Sequence, residues 1–106
     1  MTKDCIPYLK LLTLKKLKPR IKKAILSDPQ IINAISECVL NLVAGNIQLS
    51  SKQKKKLKKY KKDLRILATK TTSKLRKRKI LQQKGGGAFL PFIIPAALSL
   101  YQLLSN

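Results

Sequence analysis

The chain has 106 residues, enough for one small domain with tails. Its 24 Lys and Arg face only 4 Asp and Glu, giving a net charge of +20, and there is no His. With no His and with Asp4, Asp28, Glu37 and Asp63 scattered, no acid–base pair presents itself, so neither enzymatic activity nor a cofactor is expected.

Two cysteines, Cys5 and Cys38, make neither a metal site nor a disulfide framework. Cys38 falls in an apolar helical pattern and reads as core. Cys5, near the terminus, reads as a reduced thiol of a cytosolic or nuclear setting. The opening MTKDCIPYLKLL is broken by Asp4 and Lys10, so it lacks the continuous apolar region of a secretory signal.

Three helical stretches follow in order. In the first, about Tyr8 to Leu26, Leu14, Leu17, Ile21, Ala24 and Ile25 recur at three- and four-residue steps and form one stripe. Pro19 removes a backbone donor and crowds the preceding turn, which predicts a kink or two short helices near Lys18. The second helix starts with Asp28 as N-cap and Pro29 at the first helical position, and Gly45 with Asn46 stops it. Its wide apolar face (Ile31, Ile32, Ile35, Cys38, Val39, Leu42, Val43) and low charge mark it as the centre of the core.

The third helix opens at Ser50, with Gln53 completing a capping box. Leu57, Tyr60, Leu64 and Leu67 keep an apolar seam through a crowd of lysines. Like charges four residues apart, such as Lys54 with Lys58 and Lys58 with Lys62, each cost about 0.2–0.5 kcal/mol in an isolated helix. This helix is therefore expected to fray when free and to tighten on an anion. Thr71, Thr72 and Ser73 mark a break. A short basic helix from Lys74 to Gln83 follows, with Leu75 and Ile80 or Leu81 as its apolar points. Gly85, Gly86 and Gly87 form a hinge.

The charge ends at that hinge. Sixteen Lys or Arg lie from Lys52 to Lys84 against Asp63 alone, and from Gly85 to Asn106 no side chain ionises. The basic candidates are Lys52, Lys54, Lys55, Lys56, Lys58, Lys59, Lys61, Lys62, Arg65, Lys70, Lys74, Arg76, Lys77, Arg78, Lys79 and Lys84. Soluble surfaces usually interleave both signs, so a run this one-sided predicts phosphate-backbone binding rather than a solvated face. Duplex DNA carries about one charge per 1.7 Å of axis, so +20 matches about 20 phosphates. Tyr60 is the sole aromatic in the run, which leaves no row of stacking platforms for single strands.

The tail from Ala88 to Leu104 is apolar but interrupted by Pro91 and Pro95, and a helix is expected from about Pro95. Two readings stand for Phe89, Leu90, Phe92, Ile93, Ile94, Leu98, Leu100, Tyr101, Leu103 and Leu104. They pack on the bundle, or they contact a membrane or a capsid protein. The lack of an evident polar stripe favours the second.

The basic run, then Lys84-Gly85-Gly86-Gly87, then Phe89-Leu90-Pro91-Phe92-Ile93-Ile94-Pro95-Ala96-Ala97, resembles the C-terminal half of the precursor of the adenoviral core protein X, or mu. The likeness spans about Lys74 to Leu104. The helical part, with its turn from Asn46 to Lys54, is similar to X-like proteins of adintoviruses, Polintons and adomaviruses. The resemblance implies a DNA-condensing core protein of a virion, present in the host nucleus, and cutting by a maturation protease at Gly85, Gly86 or Gly87. This chain departs from the family in having Gln83 where the protease prefers Met, Leu, Ile or Asn, and in being Lys-rich without His.

The expectation is thus an all-α protein. A helical bundle (1–68) with a Lys-rich third helix leads to a basic segment (69–84), a glycine hinge (85–87) and an apolar tail (88–106). Its partner is nucleic acid, double-stranded DNA in the first place, with a capsid or membrane contact through the tail. The alternative is a membrane-active cationic protein that puts the same lysines on anionic lipid.

Overall fold

In a computed structural model, which describes residues 3–14, 16–83 and 89–105 (the last six as backbone alone), every regular element among those residues is helical. A 3-10 turn, Lys3–Cys5, leads into α1 (Ile6–Leu11). Helix α2 (Pro19–Leu26) begins at the proline, with Lys18 held extended at ψ 136°. Pro19 has no N–H to bond back into a preceding turn and disfavours the helical region for Lys18. The stretch is accordingly two short helices, one of the two outcomes expected of Pro19, and the first stops at Leu11, well ahead of Lys18.

Helix α3 (Pro29–Val43) is bounded by side-chain and glycine chemistry. The Asp28 carboxylate accepts the Gln30 N–H at 2.9 Å. At the other end, Asn46 N–H donates to Asn41 O at 2.9 Å and Gly45 N–H to Leu42 O at 3.1 Å. That pair of bonds is the Schellman motif, and it needs a left-handed residue, which Gly45 supplies at φ +81°. The turn delivers Ile47 into the core.

Helix α4 (Ser51–Leu57), a 3-10 turn (Lys58–Tyr60) and α5 (Lys61–Ala68) form one broken rod. Helix α6 (Lys74–Gln82) starts at Ser73, whose hydroxyl accepts the Arg76 N–H at 3.2 Å. Helix α7 (Leu90–Ser105) closes the chain.

Helix α3 is the hub, touching α1, α2, α5, α6 and α7. Ile31, Ile32, Ile35, Cys38 and Val39 are buried there among Leu9, Leu26, Leu67 and Leu81. Burial, aided by the Glu37 carboxylate, pushes the Cys38 thiol up to about 12, so it stays an unreactive core group. The Cys5 thiol is also buried, and it donates to Gln30 O at 3.9 Å.

The structure sets α7 on α3 and α1, inside the bundle. Phe89, Leu90, Ile93, Ile94, Ala97 and Leu98 are buried, a stripe advancing four residues at a time. Pro95 and Ser99 lie exposed on the other side, with Pro91, Phe92 and Ala96 half-buried. The helix therefore starts at Leu90, five residues ahead of the expected start. The apolar stripe holds it in place although Pro95 lies within it. The radius of gyration, 12.8 Å, is that of one compact domain of this length, about 13 Å, which leaves no room for an extended tail. No helix among the described residues is long and apolar enough to cross a membrane.

Candidate nucleic-acid interface

The α4–α5 rod divides its residues cleanly. Ser50 Oγ accepts the Gln53 N–H at 3.2 Å, and Gln53 Oε1 accepts the Ser50 N–H at 3.0 Å, so the capping box is complete. From that start Leu57, Leu64 and Leu67 turn inward and are buried. Tyr60 packs on Phe89, ring centroids 5.5 Å apart and planes at 59°. The inward seam forces the lysines outward: Lys52, Lys54, Lys55, Lys56, Lys58, Lys59, Lys61, Lys62 and Arg65 are all exposed.

Two hollows flank this rod. One, of about 630 Å³, is walled by Lys58, Lys59, Lys61, Lys62, Arg65 and, from α6, Arg76, with Ile66 beneath. Six cations from three elements thus surround one space. No carboxylate lines it. Like charges gathered this way repel one another, and a bound anion relieves that repulsion.

The second hollow is an open groove of about 750 Å³ between the rod and the end of α3. Leu42, Val43, Ile47, Leu49, Leu57 and Leu64 form its floor, and Lys54, Lys58, Lys61 and Arg65 its rim. Ile47, Leu57 and Leu64 belong to the core, whereas Val43 is 57% exposed. The two hollows share Lys58, Lys61 and Arg65.

The remaining cations divide three ways. Lys70, Lys74, Arg76 and Lys79 are exposed, and Arg78 is half-buried with its Nε shielded and without a hydrogen-bond partner. Lys77 is withdrawn from the surface, only 7% exposed, and donates from Nζ to Ser36 Oγ at 3.2 Å. Desolvation, with the Lys74 ammonium nearby, lowers its pKa. Its place among the phosphate-binding candidates is corrected on that ground: an ammonium turned into the α3–α6 contact is not offered to a polyanion. Lys84 and the candidate cleavage residues Gly85, Gly86 and Gly87 lie outside the described residues.

Of the tail residues read as membrane or partner contacts, Phe89, Leu90, Ile93, Ile94 and Leu98 are buried within this chain's own core. Phe92 is half-buried beneath Lys56, whose Nζ stands 5.1 Å from the ring centroid. The side chains of Leu100, Tyr101, Leu103 and Leu104 lie outside the described residues. No cluster of metal-ligating side chains occurs among the described residues.

Sequence reasoning missed the groove and the arrival of Arg76 beside the α5 cations. Both depend on how α3, α5 and α6 cross. One signal was available: Lys54, Lys58, Lys61 and Arg65 step 4-3-4, the spacing of one helix face. Comparison with known proteins finds no matching family model, no matching curated protein and no matching solved structure.

Proposed function

We propose that this protein binds nucleic acid, double-stranded DNA in the first place, through phosphate neutralisation and without reading the base sequence. The observation that carries the reading is the convergence of Lys58, Lys59, Lys61, Lys62, Arg65 and Arg76 around one hollow. Four of the six are lysines, flexible point charges that match a regular row of phosphates but offer no fixed fork to base edges. Tyr60 is engaged with Phe89, which removes the run's one aromatic as a stacking surface. The likeness of the junction and tail to the adenoviral core protein X precursor supports a finer proposal. The DNA is then a packaged genome, the setting a virion core and host nucleus, and the junction at Gly85–Gly87 a site of processing. The membrane-active reading is less favoured, because Phe89, Leu90, Ile93, Ile94 and Leu98, among the side chains it would insert, are buried in the core.

The test is fluorescence anisotropy with two duplexes of unrelated sequence across a salt series. Six phosphate contacts give a log–log slope of about −5 and a loss of about 10³-fold between 50 and 200 mM salt. Changing Lys58, Lys61, Lys62 and Arg76 together to Gln should weaken both duplexes alike and flatten the slope by about 3–4. Salt-independent binding, or loss confined to one duplex, overturns the proposal.

A further inference from the structure

We infer that the groove between α3 and the α4–α5 rod is a docking site for an acidic amphipathic helix of a partner protein, and that this partner competes with nucleic acid. The apolar floor has more than the chain itself covers: Val43 stands 57% exposed and Leu42 and Leu49 are half-buried. Beside it, Lys54, Lys58, Lys61 and Arg65 line one rim. At a helical rise of about 1.5 Å per residue, that row is about 17 Å long.

Charge selects the occupant. A second copy of this chain would bring another +20 against the rim, with four carboxylates to offset it. A nucleic acid would satisfy the rim but waste the floor, which is aliphatic and offers no ring for a base to stack on. A lipid head group would answer one or two of the four cations, and an open groove encloses little of an acyl chain. A helix carrying Asp or Glu at the same 4-3-4 step meets the whole row, and its neighbouring Leu or Ile side chains enter the floor as anchors. The shared residues then decide the competition. Lys58, Lys61 and Arg65 border both hollows, so once carboxylates engage these cations they are no longer available to phosphate.

The probe is a labelled synthetic helical peptide with Leu along one face and Glu flanking it at 4-3-4 spacing. Binding to the full chain is measured at physiological salt beside two control peptides, one with Gln for Glu and one with Ser for Leu. The expected result is binding that needs both faces and is lost when duplex DNA is added. V43S in the floor should weaken the peptide about fivefold and leave DNA affinity unchanged, and K54Q in the rim should weaken it by a similar factor. No binding by the peptide overturns the inference, as does equal binding by the Ser-for-Leu control, which would reduce the groove to bare charge. Saturable uptake of oleate that V43S abolishes, without peptide binding, reassigns the groove to lipid and overturns it too. Peptide binding by a chain that shows no affinity for duplex DNA would overturn the nucleic-acid reading and the competition that rests on it, whereas absence of peptide binding overturns the docking site itself.

Discussion

Lys77 is the residue at which charge and burial collide. The residue is only 7% exposed, its stem packs in the α3–α6 contact, and its ammonium bonds Ser36 Oγ, which in turn donates to Ile32 O at 2.9 Å. One hydroxyl is little compensation for a desolvated ammonium, and Lys74 adds repulsion. K77M keeps the stem and removes the charge. It should raise stability at neutral pH by about 1 kcal/mol, or about 4–8 °C in thermal midpoint. The pH dependence has a definite sign. The folded-state pKa lies below the ordinary lysine value of 10.5, so the unfolded chain holds the proton more tightly. The penalty is full below the folded pKa and fades as pH rises through it toward 10.5. The advantage of K77M should therefore shrink across that window. Taking the difference between the two proteins cancels the other lysines, whose own titration also lessens repulsion. A midpoint lowered by K77M at pH 7 would mean that the Ser36 bond outweighs desolvation.

At the scale of the elements, ends were legible and interiors less so. The starts of α2, α3, α4 and α6 rest on Pro19, Asp28–Pro29, Ser50–Gln53 and Ser73, each a local interaction within three or four residues. Such chemistry is readable because no distant residue takes part. The tail was harder. Prolines four apart read as breaks, yet Pro91, Pro95 and Ser99 step by four and share one flank of α7, while Phe89, Leu90, Ile93 and Ile94 fill the other. The partner that makes sense of this stripe is α3, more than fifty residues earlier, and no local pattern points to it. The site shows the same division. The cations were legible one by one, but the hollow that gathers Arg76 beside Arg65 arises from packing. Pro95 offers a direct check. It is exposed, so P95A removes little packing, and it restores an N–H for the Pro91 carbonyl. Urea unfolding should shift toward higher stability by about 1–3 kcal/mol. A destabilised P95A would mean that the stiff ring itself sets the path of α7.

For the molecule as a whole, the two halves of the composition solve one problem together. A net charge of +20 opposes compaction, and the sequence places an uncharged segment after the cationic one. Helix α7 uses that segment to cover α3 and α1, while the exposed cations of α4, α5 and α6 remain in solvent. Phe89, Leu90, Ile93 and Ile94 are among the most deeply buried large side chains of the protein. They cover α3 along its middle, leaving Leu42 and Val43 at its end open to the groove, and they share one core cluster with the bundle. A chain ending at Gln83 keeps every exposed lysine described here but uncovers the α3 and α1 faces that α7 seals. Without that cover, repulsion among the cations meets too small a core, since domains of this size hold only about 5–15 kcal/mol in reserve. Thermal melting followed by circular dichroism should lose its sharp transition, and a hydrophobic dye should bind the shortened chain at temperatures where the full chain excludes it. Added duplex DNA should restore part of the helicity by neutralising α4 and α5, because any ligand of the folded form shifts the equilibrium toward it. A shortened chain that melts as sharply as the full one, with a midpoint within a few degrees, would show that α7 rests on the bundle without stabilising it, and the apolar tail would again need a partner outside the chain.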